Sequence, residues 1–226
     1  MLWEHEAGIA KLPARTISVL TGMSKQERLR DLSLRVRACR QCPRLVASRT
    51  QTVFGSGDPD AEFMFVGEAP GREEDRYGQP FVGRAGHLLS VLVRMMGFRW
   101  SDVYIANVLK CRPDAENGNR KPEAEEMARC LPFLMEQVRI VRPRVIIALG
   151  ATAMEGLTAR ECSISAVRGT VYECEGIPLM PTFHPAFVLR SPTVENRKAI
   201  WSDICRAMEL AGYDPSDRAE RVPEVD

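Results

Sequence analysis

Three polar side chains of different chemistry stand just past short apolar runs: Glu68, Asn107 and His184. They offer an anionic acceptor, a paired donor and acceptor, and a titratable ring. Glu68 lies in the richest stretch, residues 63–87, FMFVGEAPGREEDRYGQPFVGRAGH. There an apolar run, Phe63 to Val66, breaks into Gly67-Glu68-Ala69-Pro70-Gly71, and a charged segment, Arg72 to Arg76, follows. Phe81, Gly83, Arg84 and Gly86 then lead into an apolar helical pattern. A strand that turns through glycines into a helix exposes backbone N–H groups, and the helix dipole favours anions there. The glycines also let the backbone approach a flat or anionic ligand. A second set is sulfur. Cys39 and Cys42 form a CxxC, and Cys111 and Cys130 add two more thiols. Four thiolates suit either zinc or a 4Fe–4S cluster, and these spacings do not choose between them. Cys162, Cys174 and Cys205 are expected as ordinary small buried residues.

The elements that must position these groups alternate along the chain. Strands are expected at Glu62–Val66, Val103–Ala106, Arg144–Leu149 and Pro178–Phe183, each short, apolar and rich in β-branched or aromatic residues. Helical patterns separate them at Ala85–Met96, Pro122–Val141 and Thr152–Leu157, and a last helix spans Val194–Leu210. Pro122 suits a first helical turn. Ser24 starts an earlier helix by the capping-box rule, with Glu27 three residues on and Leu29, Leu32 and Val36 on one face. That helix ends at the CxxC. Residues 50–61 read as loop, and Val171–Cys174 as a small strand or hairpin arm. The alternation predicts an α/β fold: a single domain with a parallel four-stranded sheet flanked by helices on both faces. All strand C-termini of such a sheet share one edge, so Gly67-Glu68, Asn107, Gly150 and His184 should converge there.

Length and composition set the frame. The 226 residues divide into an N-terminal arm (1–23), one domain (24–212) and an acidic tail (213–226). Trp3 is the only hint that the arm docks. Net charge is +1, yet seven arginines fall between Arg28 and Arg49 and five acids between Asp214 and Asp226, so a neutral total can hide a basic face. The N-terminus shows no signal peptide, and no apolar run approaches the roughly 18 residues of a membrane span. Seven cysteines, an odd number, argue for a reducing cytoplasmic compartment rather than a disulfide framework. A monomer is the default expectation.

Four motifs in order, GEAPGREED, QPFVGRAG, NVLKCRP and HPA, resemble those of family 4 uracil-DNA glycosylases, the iron–sulfur class. The resemblance runs from Cys39 to the terminal helix, and it implies a central four-stranded parallel sheet. It also implies that uracil flipped out of DNA is cut at its N-glycosidic bond, leaving an abasic site. By that resemblance Phe81 stacks on the base, and the backbones of Gly67, Glu68 and Ala69 line the pocket. Asn107 reads the Watson–Crick edge, and His184 meets uracil O2 as charge develops. Glu68 orients the attacking water or stabilises an oxocarbenium-like sugar, while Glu74 sits beside C5 and excludes thymine's methyl group. Cys39, Cys42, Cys111 and Cys130 hold a structural 4Fe–4S cluster. Arg84, Lys110, Arg112 and Arg190 are candidate phosphate partners, and Phe187–Arg190 a candidate wedge. The stretch between Cys111 and Cys130 is longer than the family pattern. It contains no histidine, which argues against the related class that traps uracil-DNA covalently. A DNA-binding module without turnover and a zinc-bound nucleic-acid protein are the other rivals.

Overall fold

The computed structural model describes residues 22–115, 118–216 and 223. The expected N-terminal arm, Trp3 included, and most of the acidic tail lie outside the described residues. Helix α1 (Lys25–Ala38) starts as expected: Ser24 Oγ accepts from the Glu27 N–H, and Glu27 reaches back to the Ser24 N–H. Helix α2 (Pro43–Ser48) follows after Cys39–Cys42. The remaining elements are β1 (Ser56–Gly57), β2 (Phe63–Gly67), α3 (Arg72–Tyr77), α4 (Arg84–Met95), β3 (Tyr104–Asn107), the hairpin β4 (Asp114–Ala115) and β5 (Gly118–Asn119), and α5 (Ala124–Val141). Then come β6 (Val145–Leu149), α6 (Ala151–Thr158), α7 (Ile164–Val167), β7 (Tyr172–Cys174), β8 (Ile177–Thr182), α8 (Pro185–Arg190) and α9 (Val194–Leu210).

The main sheet has the order β1-β3-β2-β6-β8-β7. Its middle four strands are the four expected, all parallel, with Gly67 opposite Asn107 and Leu149 opposite Thr182. Successive side chains of each central strand face opposite layers. Met64 and Val66 pack in the layer with Leu32, Leu134 and Met154, whereas Phe63 and Phe65 pack with Leu92, Trp201 and Ile204. Burial on both faces is why these strands read as unbroken apolar runs.

Two antiparallel edges complete six strands. Strand β7 turns into β8 through Glu175 and Gly176, both at positive φ, as a two-residue hairpin turn of the primed type requires. Strand β1 carries no strand signal at all. Gly57 lies so close to β3 that a Cβ would stand 1.9 Å from the Val103 carbonyl oxygen. Helix α5 begins at Ala124 rather than Pro122, because Glu123 is its N-cap and its N–H is held by Glu126 at 3.0 Å. No described helix is long and apolar enough to cross a membrane.

Candidate active site

The C-terminal ends of the parallel strands open onto a cavity of about 510 Å³. Glu68, Ala69, Glu74, Phe81, Asn107, Gly150 and His184 line it, so the strand-end groups converge as their placement requires. Gly67 stands behind this wall. A Cβ there would lie 2.4 Å from Asn107 Oδ1 and 2.8 Å from Phe81 Cζ, so only glycine lets the carboxamide and the ring close on one another. Its carbonyl, like that of Glu68, is taken by the chain leaving β3, through Val108 and Leu109 N–H groups.

Asn107 is 3% exposed, and its Oδ1 has no hydrogen-bond partner among the described residues. An unpaired buried acceptor costs about 1–3 kcal/mol, a cost that a ligand donor would remove. Phe81 holds φ +54°, a left-handed conformation that bulky residues rarely adopt, and its ring lies 5.7 Å from the His184 imidazole at 27°. Strain of this kind persists where the surroundings over-determine it. Here Glu74 does much of that work. Its carboxylate accepts from Gly71 N–H, Val82 N–H and Gly83 N–H, each at 3.0 Å, and so pins both sides of the Phe81 loop. Although Glu74 lies in a charged run, it is a brace for the loop rather than a solvated charge.

His184 is the N-cap of α8, and its Nδ1 accepts from the Ala186 N–H at 3.1 Å. That bond leaves Nε2 to carry the proton of the neutral ring. The ring is pushed down to about 4, first by loss of water around it and then by the positive charge of Arg190. It is therefore a neutral donor near pH 7. Glu68 meets the hydroxyl of Thr152, which donates to Oε2 at 2.5 Å. Thr152 was not singled out from sequence, although the expected helix began on it just past a strand end. Asn119, Arg120 and Lys121 also line the cavity, from the hairpin in the stretch longer than the family pattern. Arg112 serves that hairpin, donating to Asn119 Oδ1 and to the Gly118 carbonyl.

Lys110 corrects one expectation. It is 1% exposed and reaches no surface. Its Nζ donates to the Asn107 carbonyl at 2.8 Å and to Gln137 Oε1 at 2.5 Å, and burial lowers it to about 8. Val108 and Leu109 draw the chain inward, and the lysine follows them under Asn107 instead of reaching a phosphate. Arg84 and Arg190 are both exposed, Arg190 at the cavity rim and Arg84 at the first turn of α4.

Cys39, Cys42, Cys111 and Cys130 line a second, small cavity together with Arg49, Arg129 and Lys110. Cys39 closes α1 and Cys42 opens α2, so the CxxC is the joint between two helices. Arg49 Nη1 donates to Cys111 Sγ at 2.9 Å, and the Lys110 N–H to Cys130 Sγ at 3.2 Å. Burial raises the Cys42 and Cys111 thiols and pushes Cys130 up to about 12. Among the described residues, no group of three ligands converges on a single ion. Cys174 and Cys205 are buried as expected, whereas Cys162 is only half-buried.

The family model of the uracil DNA glycosylase superfamily matches residues 54–205. A Type-4 uracil-DNA glycosylase of Thermotoga maritima is 46% identical over 186 residues, covering 81% of this chain and 95% of that protein. One from Archaeoglobus fulgidus is 41% identical, covering 82% and 94%. A Type-5 uracil-DNA glycosylase of Pyrobaculum aerophilum is more distant, at 29% identity, 69% of this chain and 81% of that protein.

Proposed function

The chain belongs to the uracil DNA glycosylase superfamily, and on that footing we propose how its cavity reads and releases the base. It is a DNA glycosylase that excises uracil for repair. The observation that carries the assignment of roles is the buried, unpartnered Oδ1 of Asn107 beside Phe81 and His184. Uracil presents an N3–H to that oxygen, whereas cytosine presents a lone pair at N3 and would leave it unpaired. Phe81 gives the flipped base a face to stack on. The Nε2–H of His184 meets uracil O2 as the C1′–N1 bond breaks and its electron pair stays on the base. Glu68 orients the water whose hydroxyl ends on C1′, while the water's proton passes through solvent to the released base. Glu74 braces the loop beside C5, where thymine would carry its methyl group. Arg84 and Arg190 are the phosphate partners this reading retains.

The four cysteines fit a 4Fe–4S cluster. The donor set is sulfur alone, and it surrounds a small cavity, as a cluster held by four cysteines requires. Arg49 and the Lys110 N–H would donate to bound sulfurs. A cluster held by these residues would tie α1, α2, the segment after β3 and α5 together, a structural role, since hydrolysis needs no electrons. Thiols kept reduced fit a cytoplasmic setting. Freshly purified protein is expected to be brown and to hold about four iron and four sulfide per chain. Cys111→Ser should bleach that colour and lower the melting temperature. A colourless protein with one zinc would remove the cluster from this account.

Activity is tested on a denaturing gel with labelled oligonucleotides containing uracil, thymine or cytosine, with and without alkali. An alkali-dependent break at uracil alone is expected. A band resistant to denaturation would mean covalent trapping, and intact DNA with metallated protein would mean binding without turnover.

A further inference from the structure

The hydroxyl of Thr152 is buried, it lies at the first turn of α6, and it donates to Glu68 Oε2 at 2.5 Å. No other hydrogen bond is made to the Glu68 carboxylate among the described residues, so Oε1 has no protein partner there, and Glu68 lines the cavity. The two residues are 84 positions apart in sequence and are brought together only because β2 and β6 are neighbours in the sheet. Gly150 makes the approach feasible. At φ +95° it turns the chain from β6 into α6, and a Cβ there would stand 3.3 Å from the His184 Cβ. The amino end of α6 therefore lies against both Glu68 and His184.

We propose that Thr152 is a positioning residue that clamps one oxygen of Glu68, so that the other alone orients the attacking water. This rests on the reading of Glu68 as the water-orienting group. A carboxylate free to rotate offers either oxygen at varied angles. One held by a short, charge-assisted bond offers a single lone pair at a fixed place. The clamp acts on the chemical step and leaves the base-reading groups, Asn107 and Phe81, untouched. Its loss should therefore lower kcat and leave KM unchanged.

The test measures single-turnover rates and KM for Thr152→Val, Thr152→Ala and Thr152→Ser, alone and with Glu68→Gln, with melting temperatures alongside. Val and Ala are expected to slow uracil release about ten- to a hundredfold at unchanged KM, as misplacement of a reacting group does. Ser restores the hydroxyl and is expected within about threefold of wild type. Adding Thr152→Val to Glu68→Gln should cost nothing further, because the group it positions has already lost its charge. Additive losses, or a Ser variant as slow as Val, would show that Thr152 does not act through Glu68. A Glu68→Gln enzyme as fast as wild type would instead bring down the role of Glu68 and the clamp with it.

Discussion

His184→Ala is expected to slow uracil release by about 10²–10³-fold, the usual loss when one donor to a developing oxyanion is removed. The same change removes the N-cap of α8, because Nδ1 no longer accepts from Ala186 N–H. Loss of a cap costs about 1 kcal/mol, and a chain of this size shifts its melting temperature by about 2–4 °C for each kcal/mol. Since α8 contributes Ala186, Phe187 and Arg190 to the cavity, part of a slow rate could come from a frayed helix. His184→Asn separates the two. Asparagine is among the best N-caps, yet it cannot place a donor where Nε2–H stands. Its melting temperature should return to within about 1 °C of wild type while its rate stays with the alanine variant. If Asn restored the rate along with the stability, His184 would be a cap and nothing more.

The ring's protonation gives a second reading of the same residue. Burial and Arg190 lower His184 from its ordinary 6.5 to about 4, so the folded chain holds this proton less tightly than the unfolded chain. The contribution of the neutral ring to stability is full above about pH 6.5 and is lost as pH falls from there through about 4. Activity should show no acid break between pH 6 and 7 from this residue, and its ring resonances should titrate near 4. A midpoint near 6.5 would make it a charged partner over much of the working range and would contradict the neutral-donor role.

How much of this was legible depended on the range of each interaction. The four parallel strands could be read because burial on both faces writes itself as short apolar runs, and the convergence of Glu68, Asn107 and His184 follows from topology alone. Strand β1 could not be read. It is two residues long, and it exists because β3 accepts a glycine against its backbone. Lys110 reads as a phosphate partner from sequence because its buried partners, the Asn107 carbonyl and Gln137, appear only when β3 packs on α5. The brace made by Glu74 was hidden in the same way. A charged run signals a solvated face, and only the folded loop shows three N–H groups aimed at one carboxylate.

Gly86→Ala is expected to be the most damaging single methyl in the domain's active-site loop. Gly86 sits in the first turn of α4, where a Cβ would stand 1.6 Å from the Phe81 carbonyl oxygen and 2.2 Å from its carbon. These are backbone atoms, so no side-chain rotation relieves the clash. The loop has little room to retreat. Glu74 fixes Val82 and Gly83 on one side, Gly67 fits against the Phe81 ring on the other, and Phe81 is already held at φ +54°. Overpacking of this kind costs about 1–3 kcal/mol, so melting should fall by several degrees, about 2–4 °C for each kcal/mol. The loop must yield by unseating Phe81, and uracil should then bind without its stacking face. Phe81→Leu is the companion measurement: it removes the ring but leaves the loop backbone where it is. Gly86→Ala should match or exceed its loss of activity and clearly exceed its loss of stability. A Gly86→Ala protein that melts within about 1 °C of wild type and keeps at least half its rate would mean that the α4–Phe81 contact is soft. Phe81 would then owe its position to Glu74 alone.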